Sequence, residues 1–347
     1  MQQLNQILEN RFINNLTSLL EHSPLQINST HQSDAEIIRF NGNNDQLINI
    51  TTDSICEEIK AGLYDDFLAG WMVVSANLSD LAAVGSNPLG ILISVIFPEN
   101  MNYKRIGTLY NGINSACKRH STYVLGGDIN KGDNLIVTGT ALGVNNYNKI
   151  LTRVGCKPGN ILYSTGQLGK GNAFALDKLF FRKGAALNYK PVARLKEGKV
   201  VSQFATACMD TSDGIFTTLD QLMRLNNIGF EICNNWELLI EKNSREYAQK
   251  VGIPLWMLLA GQHGEFELLF TIPEEREKQF INSAIQVGFF PLKLGRVIKT
   301  PIINISLYDK MISLDTARIR NLFDNCDGNL EKYFDEMLKI DSELKQN

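Results

Sequence analysis

Two carboxylates and two hydroxyls crowd the stretch ACMDTSDGIF, residues 207–216: Asp210, Thr211, Ser212 and Asp213, with Gly214 directly after. Residues of these types ahead of an apolar run serve one of two ends. They accept the orphan backbone N–H groups of a helix start, or they offer oxygen to a hard cation. Three further acids punctuate the chain. Asp53 closes the alternating run QLINITTD behind Thr51 and Thr52. Asp80, in SANLSDLAAVG, follows Asn77 by three residues, which puts both on one helix face. Among so many small residues a carboxylate is costly unless paired or metal-bound. Asp128 follows two glycines in VLGGD, where a ligand can approach the backbone. Several carboxylates on separate elements suit a polyphosphate held through Mg²⁺, an ion that takes a few carboxylates and keeps substrate phosphates as ligands. For Asp80 the alternative is a salt bridge or a solvent-facing position.

Other chemistries find no support. GQLGKGNA (166–173) contains Gly-Lys but lacks the first P-loop glycine and the Ser/Thr after Lys170. No G-x-G-x-x-G opens a helix after a strand with a ribose-binding acid beyond it. His22, His31, His120 and His263 show no zinc-ligand spacing, and no G-x-S-x-G elbow occurs. The six cysteines, at 56, 117, 156, 208, 233 and 326, form no C-x-x-C pair and read as thiols of a reducing cytoplasm. With a net charge of −3 and no basic run, nothing points to nucleic acid. The longest apolar run, LGILISVIF, is too short to cross a bilayer, and the first residues do not read as a signal peptide.

Elements must now be found to position those acids. A chain of 347 residues is long for one core, so two domains are expected. The pattern predicts helices over 1–22, 65–84 and 102–119, with strands at 46–53, 89–97, 122–128 and 135–143. Residues 89–97 read as a strand buried on both faces, and VLGGD as a strand ending in a Gly-Gly-Asp turn. NNYNK (145–149) reads as a linker, giving an N-terminal domain over 1–147 and a C-terminal domain over 148–347. In the second half, strands are expected at 161–166, 229–233, 266–273 and 292–298, with helices at 171–184, 192–205, through Arg224, at 274–287 and at the charged C-terminus. The class is α/β, or α+β, with two lobes of similar size.

SANLSDLAAVGSNP, VLGGD, LTRVGCKPGN, MDTSDGI and the EFELLFT strand, in this order, resemble the thiamine-monophosphate kinase family, within the superfamily of aminoimidazole ribonucleotide synthetase. The resemblance runs from about residue 32 to 298. It implies ATP bound between two α/β domains with several Mg²⁺ ions, transfer of the γ-phosphate to a small phosphorylated acceptor, and a homodimer joined through the N-terminal sheets. Position by position, it implies metal ligation by Asp34, Thr51, Thr52, Asp53, Asp80, Asp128, Asp210 and Asp213. It implies nucleotide contacts from Thr52, Tyr110, Gly127, Asp128, Arg153 and Ser212.

The acceptor side departs from the family pattern. Gly-Asp-Asp-Ala-Ala appears as Gln32-Ser33-Asp34-Ala35-Glu36, so Ser33 replaces one metal-binding acid. A substrate-contacting His falls on Lys60, which could hold an acceptor phosphate or be a solvated lysine. A substrate-binding Glu falls on Gly264, or on Glu265 with a gap. The thiazole-covering aromatic near the C-terminus has no convincing counterpart. Three readings stand: a divergent thiamine-phosphate kinase, a related ATP enzyme with another acceptor, and a silent ATP-binding homologue.

Overall fold

The computed structural model describes residues 3–21, 23–39, 46–146, 150–183, 187–232, 236–308 and 310–346. Two mixed sheets, each with helices against it, make the α/β architecture. The first has the order β1-β2-β5-β3-β4, from β1 (Glu36–Arg39), β2 (Gln46–Ile55), β3 (Asn87–Pro98), β4 (Val124–Gly132) and β5 (Ile136–Asn146). Its pairs are antiparallel except β3–β4. The second has the order β12-β11-β8-β10-β6-β9-β7. It is built from β6 (Ile161–Ser164), β7 (Ala207–Asp210), β8 (Gly229–Ile232), β9 (Leu268–Ile272), β10 (Leu292–Ile298), β11 (Ile303–Leu307) and β12 (Lys310–Leu314).

The helices that bear on the site are α1 (Leu8–Thr17), α2 (Glu57–Lys60), α3 (Asp66–Ala83), α4 (Tyr103–His120), α5 (Lys170–Leu176), α6 (Leu195–Phe204) and α7 (Ile215–Asn226). Helix α3 is the pivot. Asp65 caps it, accepting from the Leu68 N–H at 2.8 Å. Every residue from Leu68 to Ser79 is buried, and so are Leu81, Ala82 and Ala83. A helix apolar all round must be enclosed on all sides. One side of α3 packs on β2, β5 and α4, the other on α6 and β7. One apolar core therefore runs through α3 from the first sheet into Phe204, Cys208, Phe270 and Phe280 of the second half. A second core lies wholly within the C-terminal half.

Several expectations are corrected. Strand β3 is buried on one face only: Leu89 and Leu92 are exposed, because α3 covers a single side of the first sheet. The Gly-Gly-Asp segment is not a turn. It lies mid-strand in β4, with Gly127 opposite Ile93 and Asp128 opposite Ser94. A Cβ at Gly127 would sit 1.7 Å from the Ile93 carbonyl oxygen, so the glycine serves the close strand approach. The first helix is shorter than 1–22 and docks on the other half of the chain: Asn10 donates to Gln221 at 2.9 Å and Glu9 pairs with Arg320 at 3.1 Å. The helix expected at 171–184 is α5, prolonged by a π-helical turn at Asp177–Phe181. The expected linker falls partly on 147–149, outside the described residues.

Candidate active site

Strand β7 delivers ACMD into the space beside α3, and the turn that follows answers the question of the cap. Helix α7 starts at Ile215 behind Gly214, and no side chain caps it. The acids of this stretch are therefore free for other work. Asp210 is buried and accepts from the Ser79 hydroxyl at 2.6 Å. Asp80, one residue further along α3, accepts from Thr51 Oγ1 at 2.5 Å. Asp34, just before β1, accepts from Arg153 at 2.8 Å, and its side chain is 1% exposed. One carboxylate oxygen from each of Asp34, Asp80 and Asp210 lies within 4.8 Å of the others.

Like charges so close and so dry oppose ionisation. Burial, then the charges of Asp53, Asp210 and Asp34, hold the Asp80 carboxyl well above the ordinary range. Burial and then Asp34 push Asp210 up to about 7. Asp53 is raised as well, by burial first. The group is also short of partners: Asp34 Oδ2, Ser33 Oγ and Arg153 Nε are buried with none. Three convergent carboxylates with an orphaned oxygen, and among the described residues a single arginine bonded to them, fit a hard divalent cation.

A cavity of about 210 Å³ opens beside these acids, lined among others by Asp53, Asp80, Asp210, Ser212, Asp213 and His263. A second, mostly apolar cavity of about 220 Å³ adjoins it. Phe180, Phe323, Tyr333 and Phe334 supply its aromatic wall, and Glu57 and Glu58 its acidic rim. The turn between β7 and α7 is tied down from outside. Thr211 and Glu267 exchange two hydrogen bonds, at 2.8 and 3.0 Å. The Glu267 carboxylate in turn accepts from Arg194 and from Thr165.

Of the residues singled out in the sequence, Asp34, Thr51, Asp53, Asp80, Arg153, Asp210, Ser212 and Asp213 come together here. Others do not. The alternation of β2 turns Thr52 to the opposite face, where its hydroxyl donates to the Gly139 carbonyl at 2.8 Å. Gly127 and Asp128 lie on exposed β4, where Asp128 accepts from Asn130 at 2.6 Å. Tyr110 is exposed on α4. Lys60 points outward from α2 and lines neither cavity. Glu265 is buried away from the acids, accepting from the Gly171 N–H at 3.0 Å, and burial raises it to about 8. Gly264 has no room for a side chain, since a Cβ there would lie 1.5 Å from the Thr211 carbonyl oxygen. Sequence reasoning missed Glu58, Tyr64 and His263 around the cavities, and the aromatics at 323–334. The Tyr333-Phe334 pair on an amphipathic C-terminal helix was their one signal.

The model for the N-terminal domain of AIR synthase related proteins matches residues 32–145. A thiamine-monophosphate kinase of Pyrococcus horikoshii is 32% identical over 253 residues, 70% of this chain and 77% of its own length. The solved thiamine monophosphate kinase of Aquifex aeolicus is 25% identical with a TM-score of 0.69, covering 87% of this chain and 97% of that one. AaThiL complexed with AMPPCP and TMP gives 25% identity and a TM-score of 0.70, over 87% of this chain and 95% of the other.

Proposed function

The chain belongs to the thiamine-monophosphate kinase family and is an ATP-dependent kinase; we propose that its acceptor is thiamine monophosphate, phosphorylated to thiamine diphosphate by direct in-line transfer. The observation that carries this reading is the junction of the two cavities. Convergent carboxylates stand on one side, and an aromatic chamber with an acidic rim stands on the other. A cationic heteroaromatic ring is attracted to aromatic faces and to carboxylates. A phosphate on that ring's tail would reach toward the acids only with their charge neutralised.

Asp34, Asp80 and Asp210 would hold Mg²⁺, with Asp53 and Asp213 at the cavity wall. Bound there, the ions supply charge neutralisation for the ATP phosphates and the acceptor phosphate. Thr51 and Ser79 fix the orientation of the Asp80 and Asp210 carboxylates. Arg153 holds Asp34 and balances part of the charge. Nucleotide contacts are proposed for Ser212 at the cavity and Arg153 behind it. A role for Thr52, Gly127, Asp128 and Tyr110 would require the nucleotide to reach the outer side of the first sheet and α4. In this reading the N-terminal lobe, residues 1–147, supplies Asp34, Asp53 and Asp80, the lobe at 148–347 supplies Arg153, Asp210, Ser212 and Asp213, and nucleotide and metals sit between the two.

A homodimer through the first sheet is part of the proposal. Its support is the apolar surface of Leu92, Leu125 and Ile129, left exposed on β3 and β4. Exposed apolar patches of this kind mark protein contacts. A cytoplasmic setting fits the unpaired state of Cys56, Cys117, Cys156, Cys208 and Cys326. Among the described residues, no helix is long and apolar enough to cross a membrane.

The test is incubation of the protein with ATP, Mg²⁺ and thiamine monophosphate, followed by mass spectrometry for thiamine diphosphate. Its formation supports the reading. ADP formed without it points to another acceptor. Bound ATP with neither product points to a silent homologue, in which Ser33 has cost the chain its turnover.

A further inference from the structure

Among the described residues, Glu58, Gln262 and His263 line both cavities. His263 is held at that junction from every side. Its backbone N–H donates to Asn172 Oδ1 at 3.0 Å. The next residue, Gly264, donates to the Ser212 carbonyl at 2.8 Å, which ties His263 to the turn bearing Asp210 and Asp213. The ring stands among Tyr189, Tyr64 and Phe174, with centroids 4.9, 5.5 and 6.2 Å away.

Its chemistry is equally constrained. Nε2 lies 3.2 Å from the Tyr64 hydroxyl. Burial lowers the imidazole to about 4, so the ring is neutral at physiological pH, with one N–H donor and one acceptor nitrogen. If the Tyr64 phenol is the donor to Nε2, the ring proton is on Nδ1. That nitrogen makes no hydrogen bond to any described residue. A fixed ring with one uncommitted nitrogen, set where an aromatic chamber meets a carboxylate group, is placed to orient a phosphate passing between them.

We propose that His263 is an acceptor-binding residue that sets specificity, its Nδ1–H donating to the acceptor's phosphate at the junction of the two cavities. This deepens the thiamine monophosphate reading and rests on it. A neutral donor suits the position, because it directs the phosphate oxygen without competing with the cations that the carboxylates would hold. It also accounts for Lys60 pointing to solvent, since the phosphate contact comes from another element.

The experiment measures KM for thiamine monophosphate and for ATP in the wild type, His263→Ala and His263→Asn, with melting temperatures alongside. Loss of a hydrogen bond to a charged group should raise the acceptor KM about tenfold or more in His263→Ala, leaving that for ATP within about twofold. His263→Asn, which keeps an N–H donor, should recover much of the loss. An acceptor KM unchanged in a folded His263→Ala overturns the inference, as does a rise in both KM values in proportion to lost stability. Should His263→Ala not fold, Tyr64→Phe carries the test. It frees Nε2 and loosens the tautomer, so the acceptor KM should rise, and an unchanged value overturns the proposal. A wild type that makes no thiamine diphosphate removes the functional reading and this inference together, whereas an active wild type with an indifferent variant removes the inference alone.

Discussion

Replacing Asp80 by Asn tests the carboxylate group at its most encumbered member. The wild-type carboxyl is held far above its usual range by burial and by three neighbouring acids. Without a cation it is an unfavourable place for charge, and the neutral isostere relieves that at once. The substitution keeps an oxygen to accept from Thr51, whose hydroxyl lies 2.5 Å from the carboxylate. The variant without metal should therefore melt no lower than the wild type. Mg²⁺ reverses the order. At about 100 times its Kd, a ligand of the folded state adds about 2.7 kcal/mol. Unfolding entropy for 347 residues is about 0.7 kcal/mol/K, so the wild type should gain about 4 °C. Asp80→Asn should gain less than about 1 °C in the same titration, having lost an oxygen common to the group. Differential scanning calorimetry at pH 8, with ionic strength matched by NaCl, measures both. Equal rises in the two proteins, or none in either, would refute the assignment of these acids to a cation.

The same group dictates a pH dependence. Asp210 is raised from 3.8 to about 7 in the fold, so the folded state holds its proton more tightly than the unfolded chain. Its contribution to stability is complete below about pH 4 and is lost as the pH climbs to about 7. Metal-free protein should thus lose stability over that interval, while the Mg²⁺-induced rise grows as the proton leaves; a flat profile in calorimetry counts against it. Gly264→Ala should cost about 3 kcal/mol by overpacking against Thr211, read from urea unfolding, and a neutral result would mean that the turn yields. Phe334→Ala should raise the KM for thiamine monophosphate with little change for ATP. Equal effects on both substrates would place the aromatic chamber outside the acceptor path.

Much of the fold could be read from pattern alone. QLINITTD alternates, and it forms β2 with Leu47, Asn49, Thr51 and Asp53 turned toward α3. Asp65 and Gly85 bracket α3 because a cap and a terminating glycine act locally. The acids were legible as residue types, but their convergence was not, because Asp34, Asp80 and Asp210 come from a loop, a helix and a strand of two different lobes. Local reasoning failed where a long-range contact decides. The Gly-Gly-Asp segment resembles a turn until β3 is seen to need the missing side chain of Gly127. Asp213 resembles a cap until Gly214 is seen to start the helix unaided. His263 has no spacing partner in the chain. Its meaning lies in two cavities assembled from residues at 53–64, 72–80, 172–180, 210–213, 257–266 and 323–337.

Helix α3 has a consequence for how such a protein can change over time. Because its circumference is enclosed jointly by the two lobes, neither lobe carries a finished surface of its own. Cutting the chain between them would bare Trp71, whose indole N–H donates to the Pro191 carbonyl at 2.7 Å across that boundary. The halves are therefore poor modules for recombination: a lobe transplanted onto a foreign partner would bring an unmatched greasy rod with it. Novelty has an easier path through the chamber walls at 323–337, which can be rewritten one side chain at a time while the helix that bears Asp80 stays as it is.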